Sequence, residues 1–367
     1  MDSLKQKSSP LSISAVDLFC GVGGLTYGLQ QAGINVVAGL DIDERCRYPF
    51  EENNDATFIS NDIRKFTGAE LSALYPKNSI KILVGCAPCQ PFSAQTRKNK
   101  NRTSDERWSL LDEFGRLIEK VNPHLIAFEN VPLIRKENIF RNFCNRLRSL
   151  YYYLHPELIV YCPDYGVPQK RRRLVLIAST WDKFELLPET HSGSSEDELP
   201  LFRTVKDAIG YLPKIDDGEA YAPDPLHRSR KLTDVNKKRI MQSKPGGTWE
   251  DWDEELRLPC HQKPSGQGYT TVYGRMAWND LAPTITTQFL NLGSGRFGHP
   301  EQHRALSVRE GALLQTFPKD YKFIKPNLPI TTTRVASYIG NAVPVQLAKV
   351  IGESIQKHVK ENVNGYS

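Results

Sequence analysis

The segment Gly85-Cys86-Ala87-Pro88-Cys89-Gln90-Pro91-Phe92-Ser93 carries two thiols three positions apart, and three kinds of chemistry fit that spacing. The pair can be a redox dithiol. It can be half of a zinc site, although no second cysteine pair or close histidine pair completes one. Or Cys89 can act alone, as a nucleophile in a proline-flanked loop. Spacing leaves all three open. The residues that follow bear on the choice: Arg97, Lys98, Lys100, Arg102 and Arg107 are set among Asn and Thr with almost nothing apolar. Cations beside a thiol suit a phosphate backbone and lend nothing specific to dithiol exchange, while a solvated charged loop is the plainer alternative.

A second constellation is Asp17-Leu-Phe-Cys-Gly-Val-Gly-Gly24, between an apolar run and a helix-like segment. Glycines there let the backbone approach a ligand closely. Asp41 closes the next apolar run, roughly 20 residues on, where an acid accepts hydrogen bonds from a ribose diol. Asn61-Asp62-Ile63 closes the third, where another acid can meet an adenine amino group. The set suits a nucleoside cofactor lying across the carboxyl ends of parallel strands. The close-set glycines depart from the Gly-x-Gly-x-x-Gly fingerprint of dinucleotide sites, and an S-adenosyl cofactor, having no pyrophosphate, does not need it. A tight structural turn is the alternative.

These residues have to be positioned by strand ends. Ser14–Phe19, Asn35–Leu40, Phe58–Ile59, Lys81–Val84, His124–Phe128 and Leu174–Ala178 read as strands, with a helix from about Leu25 to Ala32, another after Asp43, and helical segments between most of the rest. The alternation predicts an α/β domain with a mainly parallel sheet. From Leu187 to Asp280 the chain is rich in Pro, Gly, Asp and Trp without helical periodicity, and it reads as loops and short strands. Helical pattern returns from about Leu306 and ends in an amphipathic helix from Val345 to about Lys360. This predicts a catalytic and cofactor-binding domain over 1–185, a smaller irregular region over 186–298, and a segment over 299–367 that returns to the first domain.

Composition sets outer limits. With 39% hydrophobic residues among 367, a large core can be buried. The charge of +6 permits a polyanionic partner without establishing one. Seven cysteines, an odd number in a long chain, read as free thiols in a reducing compartment. No signal-peptide pattern and no long apolar run occurs, so a soluble, cytoplasmic protein without membrane contact is expected.

Taken in order along the chain, the motifs resemble the cytosine-5 DNA methyltransferase family. Pro88-Cys89-Gln90 is similar to its catalytic loop, and Asp17–Gly24 to its cofactor motif. Glu129-Asn130-Val131 and Gln169-Lys-Arg-Arg-Arg173 match its Glu-Asn-Val and Gln-x-Arg-x-Arg motifs. Arg304–Glu310 with Leu314–Pro318, and Tyr338-Ile-Gly-Asn-Ala-Val-Pro344, resemble the two closing segments. Each motif is short, but the ordered set from Asp17 to Pro344 is specific.

The resemblance implies a Rossmann-like domain that uses S-adenosylmethionine, a smaller target-recognition domain, and double-stranded DNA as substrate. It implies Cys89 as the nucleophile adding to C6 of a flipped cytosine, so that C5 becomes nucleophilic. Glu129 then presents a protonated carboxyl to N3, aided by burial. Arg173 contacts the cytosine O2 and helps hold Cys89, and Arg171 orients the catalytic loop. Arg172, between the matched positions, is read as a phosphate-binding or solvated strand-end residue. The cofactor residues carried over are Phe19, Gly21, Gly23, Gly24, Asp41, Ile42, Asp62, Ile63, Pro88, Asn341 and Val343. DNA contacts are expected from Ser93, Arg97, Lys98, Lys100, Arg102 and Arg275, and no metal is implied.

Asp41 stands where the family often has Glu. Gly85-Cys-Ala-Pro88 departs from the common Gly-Pro-Pro form, which makes Cys86 a packing residue. Trp249 and Trp252 read as local core rather than base readers. The absence of a long N-terminal regulatory extension suits a bacterial or phage enzyme, acting as a monomer beside a separate restriction endonuclease. Two rivals remain: a transfer-RNA cytosine-5 methyltransferase, disfavoured because the Cys-Phe-Thr motif of those enzymes is missing, and an inactive DNA-binding homologue, disfavoured because Cys89 and Glu129 are both present.

Overall fold

The computed structural model describes residues 12–88, 109–268 and 270–363, which divide into two compact units. The first comprises residues up to 160, then 172–188, and the chain from 348 onward. Its strands and helices follow in the order β1 (Ile13–Leu18), α1 (Gly24–Gln31), β2 (Asn35–Asp41), α2 (Arg47–Glu51), β3 (Thr57–Ser60), α3 (Gly68–Leu74), β4 (Ile80–Gly85), α4 (Leu110–Val121), β5 (Leu125–Asn130), α5 (Asn138–Ser149), β6 (Tyr153–Tyr161) and β7 (Arg172–Ser179). The sheet order is β3-β2-β1-β4-β5-β7-β6. β1 to β5 run parallel, and β7 pairs antiparallel with β5. The mainly parallel α/β domain expected from the alternation is therefore present.

The local reasons are visible in the residues. β1 and β5 are buried at every position, as strands covered on both faces must be, and this explains their continuous apolar runs. α4 buries Leu111, Phe114, Leu117, Ile118 and Val121, an i, i+3, i+4 stripe, against the sheet. Phe114 stacks on Phe143 of α5 with ring centroids 5.8 Å apart and lies 6.0 Å from Phe128 of β5. α3 starts at a capping box made by Thr67 and Glu70.

β6 was not anticipated. Tyr153-Leu-His-Pro-Glu-Leu-Ile-Val-Tyr161 contains a proline, which argues against a central strand, and β6 ends the sheet order, where proline is tolerated.

The second unit comprises 161–171 and 189–347. It contains α6 (Val205–Ile209), the antiparallel pair β8 (Ala220–Tyr221) and β9 (Asp224–Arg228), α7 (Asp234–Gln242), the single turns α8 (Pro259–Gln262) and α9 (Pro264–Gln267), α10 (Val308–Leu314) and α11 (Thr332–Asn341). The irregular region thus holds a nine-residue helix, α7, capped by Thr233. Its mean apolarity is too low to show as a periodic stripe in sequence.

A last helix, α12 (Val345–Asn362), begins in the second unit and from Ala348 belongs to the first. There Gln356 donates to the Gly33 carbonyl at 3.0 Å, Leu187 N–H donates to Ser354 at 3.0 Å, and His358 meets Ser179 at 2.9 Å. Gly352 allows the helix to close on α1: a Cβ there would sit 2.6 Å from that of Ala32. Residues from 348 belong to the first unit, whereas 299–347 and 161–171 belong to the second.

Candidate active site

In the first unit, the strand order reverses between β1 and β4, so the carboxyl ends of these strands flank the crevice where open α/β sheets hold ligands. The described motif residues of this unit collect along that edge. The loop after β1 is tightly turned: Phe19, Gly21 and Gly23 all have positive φ, of 63°, 51° and 88°. Gly23 caps α1, and Gly24 is its first residue. At the end of β2, the Asp41 carboxylate accepts the N–H of Gly21 at 2.9 Å and of Asp43 at 2.9 Å, so the acid ties the glycine loop to its own strand end. Burial pushes its pKa upward. Next to it, Ile42 is 67% exposed, a large apolar side chain left open beside two polar loops.

Asp17, at the base of the loop, is fully buried. Its Oδ2 accepts the Thr26 hydroxyl at 2.8 Å, and its Oδ1 has no hydrogen-bond partner among the described residues. Burial raises its pKa to about 7. An orphaned carboxylate oxygen, a glycine-lined loop and an exposed isoleucine beside an acid fit a cationic nucleoside-sized group such as S-adenosylmethionine.

Two of the expected cofactor residues have partners within the protein. Asp62 makes a two-pronged ion pair with Arg64, with Nη2 to Oδ2 at 2.7 Å, and this pairing lowers its pKa. Its carboxylate therefore starts engaged with a neighbour. The Ile63 side chain belongs to the hydrophobic core, so only its main chain is available to a ligand.

At the ends of β4, β5 and β7 the catalytic motifs meet. Glu129 is 4% exposed. Its Oε1 lies 2.8 Å from Arg173 Nε, and its Oε2 accepts from the Cys86 thiol at 2.8 Å. Asn130 donates to the Ala87 carbonyl at 2.9 Å and accepts the Val131 N–H at 2.8 Å, which ties the end of β5 to the exit of β4. Pro88 is half-buried beside them. Cys89, Ser93, Arg97, Lys98, Lys100 and Arg102 lie outside the described residues. Sequence reasoning took Cys86 for packing, and Asn130 for no more than part of a motif. Neither residue type signals such a role without knowledge of which strand ends are neighbours.

In the second unit, Gln169 and Arg171 serve as struts. Gln169 is fully buried. Its Nε2 donates to Leu314 O at 2.9 Å and to Gln315 Oε1 at 2.6 Å, and its Oε1 accepts Ile285 N–H at 3.0 Å. Arg171 donates to the carbonyls of Ile285 at 3.1 Å and Ala342 at 3.2 Å. Arg171 therefore braces two main-chain segments. Asn341 is exposed at the end of α11, whereas Val343 is buried.

Arg275, expected on DNA, is corrected. It is 3% exposed, and its guanidinium donates to the carbonyls of His299, Gln302 and Ile240 and meets His303. It organises the unit's interior. Trp249 and Trp252 are core residues, as read, with Trp252 Nε1 donating to Ser243 at 2.8 Å. No group of side chains among the described residues is arranged to hold a metal ion, and no described helix is long and apolar enough to cross a membrane.

The sequence over residues 13–357 matches the C-5 cytosine-specific DNA methylase family. The chain is 49% identical over 350 residues to the Type II methylase M.HgiDII of Herpetosiphon aurantiacus, covering 95% of this chain and 96% of that one. It is 32% identical to the Type II methyltransferase M1.BsuMI of Bacillus subtilis, covering 93% and 79%. A DNA modification methyltransferase encoded within an Escherichia coli prophage has the same fold, with a TM-score of 0.68 at 21% identity over 95% of this chain and all of that one. So does S. pombe Dnmt2, with a TM-score of 0.65 at 17% identity over 95% and 99%; at such identities the likeness carries the fold alone. With the first unit's described motif residues set on one sheet edge and the family matched along nearly the whole length, the chain belongs to the C-5 cytosine-specific DNA methylase family and is a DNA cytosine-5 methyltransferase of the Type II kind.

Proposed function

We propose that this enzyme rotates a cytosine out of a short duplex target and methylates C5 with S-adenosylmethionine, with Cys89 as the nucleophile. The observation that carries the reading is the Glu129–Arg173 pair at the carboxyl edge of the sheet, where the strand leading to Cys89 also ends. S-adenosylmethionine supplies an electrophilic methyl group. Phe19, Gly21, Gly23, Gly24, Asp41, Ile42, Asp62, the Ile63 main chain and Pro88 would hold it in the first unit, and Asn341 and Val343 belong to the same reading. Asp17 would face its positive charge.

The Cys89 thiolate forms a bond to C6, and the C5–C6 double bond shifts its electrons so that C5 can attack. Glu129 donates a proton to N3 and so stabilises the charge that reaches it. Arg173 holds the Glu129 side chain as an ion pair and would contact the base O2. After the methyl is transferred, a base or water takes the C5 proton, the C5–C6 double bond re-forms and the Cys89 thiolate is expelled from C6. Flipping costs a few kcal/mol, offset by Ser93, Arg97, Lys98, Lys100 and Arg102 on the DNA backbone. Recognition falls to the variable chain between Glu189 and about 298, where Arg230, Lys231, Lys237 and Lys238 are exposed cations.

The Type II names of the bacterial relatives support a restriction-modification role, with a separate endonuclease cutting the unmethylated site. We read the enzyme as a cytoplasmic monomer, as expected of a small enzyme working on chromosomal DNA. Methylation of unmethylated genomic DNA, mapped by sequencing, tests the reading: one short motif acquires 5-methylcytosine and Cys89→Ser abolishes it. Duplex DNA with 5-fluorocytosine at that motif must trap the wild-type protein covalently. Activity on transfer RNA with none on duplex DNA would overturn the reading.

A further inference from the structure

We propose that Cys86 is a positioning residue for Glu129, holding one carboxylate oxygen through its thiol until the target base takes that place. The inference rests on the reading of Glu129 as the group that addresses the base. Three strand ends converge on this carboxylate. Arg173, at the start of β7, lies 2.8 Å from Oε1, and Cys86, at the exit of β4, donates to Oε2 at 2.8 Å. The neighbouring contact, Asn130 to the Ala87 carbonyl at 2.9 Å, fixes the spacing between the β4 exit and the end of β5. The carboxylate is thus engaged at both oxygens while 4% exposed.

The two partners differ in kind. Arg173 is a permanent cation, held to Oε1 as an ion pair by charge and not by a hydrogen bond. A thiol is a weak donor, so its hold on Oε2 sets the orientation of the carboxylate and is displaced at small cost. Oε1 is therefore the oxygen anchored by charge and Oε2 the exchangeable one, which gives up the thiol's donated hydrogen bond and takes a proton from solvent before it donates to N3 of a flipped cytosine. An apolar side chain at position 86 would leave Oε2 buried without a partner in the free enzyme, and the carboxylate would pivot about its contact to Arg173. Cys86 is part-exposed, whereas Cys20, Cys46, Cys144 and Cys162 are buried in packing positions. Placement beside Oε2 is what distinguishes it from those thiols.

The test compares Cys86→Ala and Cys86→Ser with wild type and with Glu129→Gln, all on the same duplex. Alanine removes the donor and serine keeps one. The expected result for Cys86→Ala is a kcat lowered about tenfold, an unchanged KM for S-adenosylmethionine, and a shifted pH midpoint of kcat. Cys86→Ser should restore most of kcat and the wild-type midpoint. Equal losses in both variants, tracking a common fall in Tm with an unmoved pH profile, would reduce Cys86 to packing and overturn the inference. So would wild-type kcat and pH profile in Cys86→Ala. Glu129→Gln separates the two levels: if it retains wild-type activity, the reading of Glu129 itself fails, whereas an inactive Glu129→Gln beside a silent Cys86→Ala overturns only the role of Cys86.

Discussion

Arg173 and Glu129 are diagonal neighbours on the antiparallel strands β7 and β5. Glu129 stands opposite Val175, so Arg173, two positions away, projects from the same face and brings Nε to 2.8 Å from Oε1. Both side chains are nearly buried, and removing one strands the other's charge, at a cost of about 3–5 kcal/mol. Arg173→Ala should therefore lose stability and also lower kcat, by about 100-fold on the scale of a lost charge-stabilising donor. Arg173→Lys keeps the charge and loses the planar fork, so it should recover stability more than activity. Thermal unfolding and methyl transfer measured on the same preparations check both. Wild-type kcat in Arg173→Ala would show that the pair is only structural.

Gln169 was legible as part of a motif but not as a strut. Its amide satisfies Leu314, Gln315 and Ile285 at once, three partners more than 110 residues away in sequence. Gln169→Leu has nearly the same volume and leaves those buried groups unmatched, which costs about 1–3 kcal/mol for each unsatisfied group. The expected outcome is a Tm lower by several degrees and a broader unfolding transition, seen by calorimetry. A Tm within one degree of wild type would mean that water or neighbours replace the amide.

The parts of the fold that sequence made readable are those whose physics is local. β1, β2, β4, β5 and β7 announce themselves as apolar runs because both faces are covered, and the glycines after Asp17 mark a turn that needs positive φ at Gly21 and Gly23. What stayed hidden depends on distant partners. Arg275 looked like a cation for DNA because sequence shows charge and not burial; three main-chain carbonyls absorb its guanidinium. Ile63 was carried over as a cofactor residue by motif alone, and that the side chain joins the core with Phe66 and Leu71 is not visible in sequence. Cys86 looked inert because its meeting with Glu129 depends on β4 and β5 being adjacent.

His299 gives the second unit a pH dependence of known sign. Its Nδ1 accepts the N–H groups of Glu301 at 3.1 Å and Gln302 at 2.9 Å, an arrangement that requires an unprotonated Nδ1. Burial pushes its pKa down to about 4, against attraction from Glu310. Glu310 itself is held at about 2: burial opposes this, but the Arg304 guanidinium wins through charge and two hydrogen bonds, at 2.8 and 2.7 Å. Because the folded His299 value lies below the ordinary 6.5, its contribution is fully present above pH 6.5. It is lost as pH falls from there toward 4, on the order of 3 kcal/mol in all. The Glu310 contribution is present above its ordinary 4.5 and is lost only between there and about 2. Denaturant melts from pH 7 to pH 4.5 should show falling stability, and His299→Asn should flatten that slope while lowering the plateau. An equally steep slope in His299→Asn would assign the effect to other groups.

Gly21 and Ile42 separate cofactor affinity from folding. Gly21 has φ of 51°, and a Cβ built there meets nothing within 4 Å. Alanine at this position pays roughly 1–2 kcal/mol for its left-handed backbone and clashes with nothing in the free protein. Its methyl would project from the same loop whose N–H is held by Asp41, into space that the proposed reading gives to S-adenosylmethionine. Ile42 is 67% exposed and contributes little to the core, so Ile42→Ser should leave Tm within about a degree of wild type. Burying that side chain under an adenine is worth about 1.5–3 kcal/mol, which corresponds to a Kd raised roughly tenfold or more. Titration calorimetry with S-adenosylhomocysteine should find both variants folded and both weakened, with Gly21→Ala the more so. Wild-type affinity in Gly21→Ala and Ile42→Ser together would remove this loop from the cofactor site and leave the exposed isoleucine to some other contact.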